Sequence, residues 1–395
     1  MINRFFTLML FVTASVLTGC SNDDDTITIT TPPSSGGIID LEVGGFNQAN
    51  RVYVDLSTGN QTPVRRDSWE IAVYNGSENR VYLNSALLVS AAELVGINDI
   101  TTVTESSALS APLTLNALDQ TFTPTTVTVN TVAELIEGLP VGYYQYGDLD
   151  AGISFTDNKE GGLSGTAFGD ISTTDTDNNV FIVNLGNDIP TANNGTINTT
   201  GDSRGFMKVR VLTNGNSYTI QYAELNNTVD YSEITVTKDN SYNLTTVSLT
   251  DEQVVSAEPE SSEWDIDFGG VFSFYGLQGT LAAGLTYSDY TLHNTLGGVG
   301  LYQITVEGDT TPIYSDFSLA DINENNLIYN DRAVVGSGWR SVDFMTGETS
   351  VKENTYYVVK DSDNNYYKLR FTAVESETGE RGYPQFQYEL LESDN

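Results

Sequence analysis

The residues able to do chemistry are few in kind. The 395-residue chain holds one histidine, His293, one cysteine, Cys20, four methionines and 53 aspartates and glutamates. One cysteine excludes an intrachain disulfide, an iron–sulfur cluster and a thiolate zinc site. One histidine excludes any site that takes two imidazoles from one chain. A nucleophilic triad would have to use His293 as its base, and no G-x-S-x-G elbow accompanies it. Carboxylates are abundant, but no spacing marks out two of them as an acid–base pair. Asp361-Ser362-Asp363-Asn364-Asn365 and Asp175-Thr176-Asp177-Asn178-Asn179 begin like calcium loops. Neither has Gly at position six or Glu at position twelve, so both read as Asp/Asn turns between strands.

The charge balance narrows the partners. Lys and Arg number 17, giving a formal charge of −36. Such a surface repels phosphate backbones, so nucleic acid is not an expected partner. Hydrophobic residues at 39% and aromatics at 10% are enough to build cores.

The lone cysteine falls where an exported chain would use one. Asn3-Arg4 is a short n-region, Phe5 to Leu17 an apolar h-region too short for a permanent span, and Leu17-Thr18-Gly19-Cys20 resembles a bacterial lipobox. Residues 1–19 are therefore expected to be a signal peptide and Cys20 the lipidated first residue. An acidic run, Asp23-Asp24-Asp25, and a Thr/Ser/Pro/Gly-rich stretch follow, so 20–37 read as a lipidated flexible tether.

The elements that must position any site are strands. Arg51-Val52-Tyr53-Val54-Asp55-Leu56, Glu233-Ile234-Thr235-Val236-Thr237 and Tyr302-Gln303-Ile304-Thr305-Val306 alternate with period two and are rich in β-branched and aromatic residues. Asn214-Gly215 is a hairpin dipeptide. Thr131 to Gly138 is the clearest helix, with capping-box spacing from Thr131 to Glu134.

An internal repeat sets the domain expectation. Ser68-Trp69-Glu70-Ile71-Ala72-Val73 corresponds to Glu263-Trp264-Asp265-Ile266-Asp267-Phe268, and Phe206-Met207-Lys208-Val209-Arg210-Val211 to Tyr366-Tyr367-Lys368-Leu369-Arg370-Phe371. Closing strands, Gln221-Tyr222 and Gln387-Tyr388, follow each. The fold class is all-β, two tandem antiparallel β-sheet domains over 38–228 and 229–395 with few short helices; the first carries loop insertions at 161–179 and 187–205. Trp69/Ile71 and Trp264/Ile266 should face a core together. The Lys-x-Arg pairs, Lys208/Arg210 and Lys368/Arg370, should neutralise carboxylates on a solvated sheet face.

These segments, with Gly338-Trp339-Arg340-Ser341-Val342-Asp343-Phe344-Met345-Thr346-Gly347 and Gly382-Tyr383-Pro384-Gln385-Phe386-Gln387-Tyr388, resemble the HmuY family of Bacteroidota surface lipoproteins. The resemblance covers most of the second copy and both ends of the first. It implies an antiparallel β fold with a ligand cleft, and a haemophore role: taking up haem and passing it to a TonB-dependent outer-membrane receptor, without catalysis. It implies haem iron held between two axial side chains, His or Met. Met207 lies within a repeated core strand and reads as packing, which leaves His293 and Met345 as the axial candidates. The expected location is the outer membrane, lipid-anchored and exposed at the cell surface. The alternative is an adhesion or binding module for a protein or glycan that has lost haem ligation.

Overall fold

The computed structural model describes residues 32–118, 123–138, 155–191, 201–278, 281–343 and 345–392. The lipobox, Cys20 and most of the tether lie outside them. The regular structure of the described part is nearly all antiparallel strand, as the alternating patterns require, and falls into four main sheets. Among the described residues no helix is long and apolar enough to cross a membrane.

The first sheet orders β1 (Gly36–Asp40), β22 (Arg381–Leu390), β21 (Tyr366–Glu375), β20 (Thr355–Lys360) and β17 (Gly300–Thr305). The second orders β12 (Ser232–Thr237), β11 (Ser217–Glu224), β10 (Phe206–Thr213), β9 (Val180–Asn184) and β6 (Ser90–Leu94). The third runs β16 (Leu281–His293), β15 (Ile266–Gln278), β2 (Asn50–Asp55), β3 (Asn60–Arg65), and the fourth β5 (Val81–Leu83), β4 (Ile71–Tyr74), β13 (Leu244–Ser248), β14 (Gln253–Val255). Two hairpins, β7–β8 (Ala108–Leu118, Pro124–Thr131) and β18–β19 (Arg340–Val342, Thr349–Val351), stand apart. Asn214-Gly215 joins β10 to β11 with Gly215 at φ 87°, the left-handed conformation that turn needs. The helix α1 spans Val132–Gly138. Its Glu134 N–H donates to Thr131 Oγ1 at 3.2 Å, but the Glu134 carboxylate reaches back to the N–H of Asn130, one residue earlier than the capping box predicts.

Two cores with matching strand order result, and strand pairing crosses the expected 228/229 boundary. The first and third sheets enclose one core, including Val52, Val54, Phe268, Leu301, Tyr357, Leu369 and Phe386. The second and fourth enclose another, including Ile71, Val89, Val183, Val209, Ile220 and Val247. Strand β2, from the N-terminal half, pairs with β15, Val54 facing Ile266. Strand β13, from the C-terminal half, pairs with β4, Val247 facing Ile71. Likewise β1 closes on β22 and β12 on β11. The halves have exchanged their first three strands. Residues 69–258 form one unit continuously; the other joins 33–66 to the stretch from Trp264 onward.

The repeated acidic residue fastens this exchange. Glu70 Oε2 accepts the N–H of Leu249 at 2.6 Å, and Asp265 Oδ2 accepts the N–H of Leu56 at 2.8 Å. In each case the acid of one half holds the strand donated by the other. A bend at Glu70 and at Asp265, just before β4 and β15 begin, turns the preceding tryptophan away. Ile71 and Ile266 enter the two cores. Trp69 instead joins a separate cluster with Tyr82 and Leu244, and Trp264 packs edge-on against Tyr53 at 5.0 Å. The expectation that Trp and Ile share a face fails because regular strand starts one residue after the acid.

Candidate functional site

Two asparagines that sequence reasoning passed over build the seam between the units. Asn84 Nδ2 donates to the carbonyls of Arg66 and Trp69. Asn294 Nδ2 donates to the carbonyls of Ser261 and Trp264. Each Oδ1 accepts a following backbone N–H, of Ala86 or Gly297. The matching signal was present: each Asn follows the residue that pairs with the isoleucine of the W-[ED]-I motif, Leu83 opposite Ile71 and His293 opposite Ile266.

Both tryptophans and both of those residues line one internal cavity of ≈ 50 Å³ at this seam. Equivalent positions face it with different chemistry. The 69–258 unit contributes Leu83 and Leu244; the other contributes His293 and Arg51. Arg51 Nη1 bonds both oxygens of Asp267, at 3.0 and 2.9 Å, and both side chains are buried. Glu258 is buried, and that burial, with Asp267 close by, pushes its carboxyl up to about 8. It is therefore a neutral acid at pH 7. His293 is 1% exposed. Its Nε2 lies 3.0 Å from the carbonyl of Ile328, so it carries the proton, and burial lowers the imidazole to about 4. Among the described residues, His293 Nδ1, Glu258 Oε1, Trp264 Nε1 and Arg51 Nε find no hydrogen-bond partner. A cavity this size holds a few waters; ligand pockets run to roughly 300–1,000 Å³. A porphyrin does not fit.

Met345 has the opposite setting. It is 94% exposed in the turn between β18 and β19, where Asp343 Oδ1 accepts its N–H at 2.7 Å. The hairpin is clamped at its base. Buried Asp289, at φ 52°, is ion-paired with Arg340 at 3.1 Å and with Arg381, and accepts from Gln48 Nε2 at 2.5 Å. Trp339 donates its Nε1–H to the Asp289 carbonyl at 3.0 Å and stacks on Phe371 at 4.1 Å. The same hairpin gives Ser350 and Val351 to the wall of an open groove of ≈ 640 Å³, lined also by Glu353, Arg370, Phe371 and Val374. Arg370 lies with its guanidinium 4.4 Å over the Tyr314 ring and bonded to Gln387 Oε1.

The structure thus separates the two expected axial residues. His293 lines the seam cavity, Met345 does not, and one is enclosed while the other stands in solvent. The Lys-x-Arg expectation also needs correction. Lys208 is fully buried, with Nζ on the carbonyls of Val103 and Asn227. Lys368, 3% exposed, bonds the carbonyl of Phe317 at 3.1 Å and pairs with Glu389 at 3.3 Å. Their first task is to satisfy buried carbonyls of the covering loops. Asp361 is an Asx turn, accepting the N–H of Asn365 at 2.7 Å between β20 and β21. Asp175–Asp177 is a short 3₁₀ turn.

A family profile described as HmuY protein matches residues 47–388. Among solved structures, an apo HmuY analog of Tannerella forsythia is 13% identical over 41% of this chain and 85% of its own, with a TM-score of 0.19. Apo PinO of Porphyromonas gingivitis is 16% identical over 45% and 93%, with a TM-score of 0.16. No curated protein matches the chain.

Proposed function

The chain belongs to the HmuY family, and from that premise we propose that it is a lipid-anchored surface protein that captures haem or a related ligand and hands it to a TonB-dependent outer-membrane receptor, with no chemical step. Cys20 would carry the anchor and residues 20–37 the reach from the outer membrane. The observation that supports capture is the clamped β18–β19 hairpin, which holds one wall of the 640 Å³ groove and presents Met345 to solvent. A soft thioether in that position can meet an iron arriving from outside. His293 cannot do so in this conformation, because it is enclosed with its Nε2–H committed to Ile328. Of the two axial candidates, Met345 is the accessible one.

Titrating haemin into the mature chain without its lipid tests this reading. The expected result is a saturable, sharp Soret band that Met345→Ala shifts or weakens and His293→Ala leaves in place. A broad, non-saturating band, the same as with an unrelated acidic protein, overturns haem capture. One observation favours a second reading, a protein- or glycan-binding module without haem ligation: the only histidine is enclosed at the seam.

A further inference from the structure

The two units follow one plan, so each is a template for the other, and they differ at one sheet edge. In the unit holding β1 and β3, the gap between these edge strands is bridged by Gln61. Its Nε2 donates to the carbonyl of Asp40 at 3.0 Å, and its Oε1 accepts the N–H of Glu42 at 3.2 Å. A side-chain amide there does what a backbone amide of an added strand would do.

The equivalent edges of the 69–258 unit are β12 and β14. Gln61 pairs with Val54, which faces Ile266; Val254 pairs with Val247, which faces Ile71. Val254 therefore stands where Gln61 stands. By the same reckoning, Asp40 opposite Gln385 corresponds to Thr235 opposite Thr219, which makes Thr237 the counterpart of Glu42. Val254 has no amide and is 46% exposed. Between these strands lies a groove of ≈ 410 Å³, lined by Thr235, Thr237, Asp239, Tyr242, Val254 and Val255 among others. Among the described residues, β12 is paired on one side only, with β11, and β14 on one side only, with β13. Two unpaired edges thus face one slot.

We propose that this slot binds an extended segment of a partner protein by strand addition, its backbone amides taking the place that the Gln61 amide fills in the other unit. Asp239 lines the slot, no Lys or Arg does, and the chain carries a charge of −36. The segment that fits is therefore extended and basic. This surface shares no residue with the β18–β19 hairpin or with the groove that Ser350 and Val351 wall, so it stands or falls apart from haem capture.

A displayed library of random nine-residue peptides, selected on the intact chain, is the test. Selected peptides should alternate β-branched and basic residues. A synthetic copy should bind saturably and slow amide exchange at residues 235–237 and 254–256. Val254→Gln installs the bridging amide and should weaken binding by about tenfold or more. Gln61→Val opens the second slot and should raise the stoichiometry from one peptide to two. Both positions are at the surface, and an unchanged melting temperature checks that the variants are folded. Equal binding by wild type and Val254→Gln, or exchange slowed elsewhere, overturns the proposal. So does slowing at 235–237 that grows with protein concentration alone, which would make the slot a contact between copies of this chain.

Discussion

Three buried ionisable residues near the seam contribute to how stability responds to pH. The carboxyls of Glu258 and Asp265 are both raised to about 8 by burial. The folded state thus binds protons that the unfolded state has released, and the stabilisation is complete below pH 4. It is lost progressively as pH rises towards 8. His293 acts with the opposite sign: lowered to about 4 by burial, it costs stability as pH falls from 6.5 towards 4. Melting temperatures recorded from pH 5 to pH 9 should therefore decline up to about pH 8 and level off above it. Glu258→Gln should flatten that decline; an unchanged slope would remove Glu258 as its source. His293→Gln removes the opposing contribution and should steepen the decline between pH 5 and pH 6.5. Asp289 carries a different burden, since Arg340, Arg381 and Gln48 all converge on it. Asp289→Ala leaves two guanidinium groups without their carboxylate, and a loss of about 3–5 kcal/mol is expected. Amide exchange should quicken over 340–351 before it does elsewhere, because the hairpin loses its clamp.

Elements show where the sequence could be read and where it could not. Period-two alternation and turn residues located the strands well, from Arg51–Asp55 to Arg381–Leu390, because local sterics and one-sided burial decide them. The repeated W-[ED]-I segment was visible, but its task was not. Glu70 and Asp265 reach backbone N–H groups 179 and 209 residues away, and no local pattern carries such a partner. Asn84 and Asn294 were missed for a related reason. An Asn beside a turn is ordinary, and only the sheet register shows that the two stand at one equivalent position. His293 was legible as unusual and illegible as enclosed. Its neighbours Ile328 and Arg332 come from a distant loop, and the partner strand Ile266 gives no hint of them. Replacing either asparagine by Ala strips two carbonyls and one N–H of their partner, and at Asn294 the buried Asn243 amide as well. Each variant should lose about 3 kcal/mol in denaturant unfolding, with the larger loss at Asn294.

At the scale of the molecule, the exchange of β1–β3 with β12–β14 makes the two units one body. Each core is completed by strands that the other half supplies, so neither can open without exposing apolar surface of both. A single cooperative unfolding transition is expected, where two independent tandem domains would show two. This body also fixes the spacing between the groove walled by Ser350 and Val351 and the β12–β14 slot, which a flexible pair of domains would leave free. The exchanged pairing is what the whole account rests on, and a disulfide across one strand pair reads it directly. Val73 faces Thr245 in this structure; in an unexchanged tandem arrangement its counterpart would be Val52, which here faces Phe268. Directly paired strand residues stand about 4.5–5.5 Å apart at Cα, within disulfide reach. With Cys20 replaced by Ser, the Val73→Cys/Thr245→Cys chain should oxidise completely in the folded state, and the Val73→Cys/Val52→Cys chain should keep both thiols free. The reverse pattern, a bond between 52 and 73 and none between 73 and 245, would contradict the exchange.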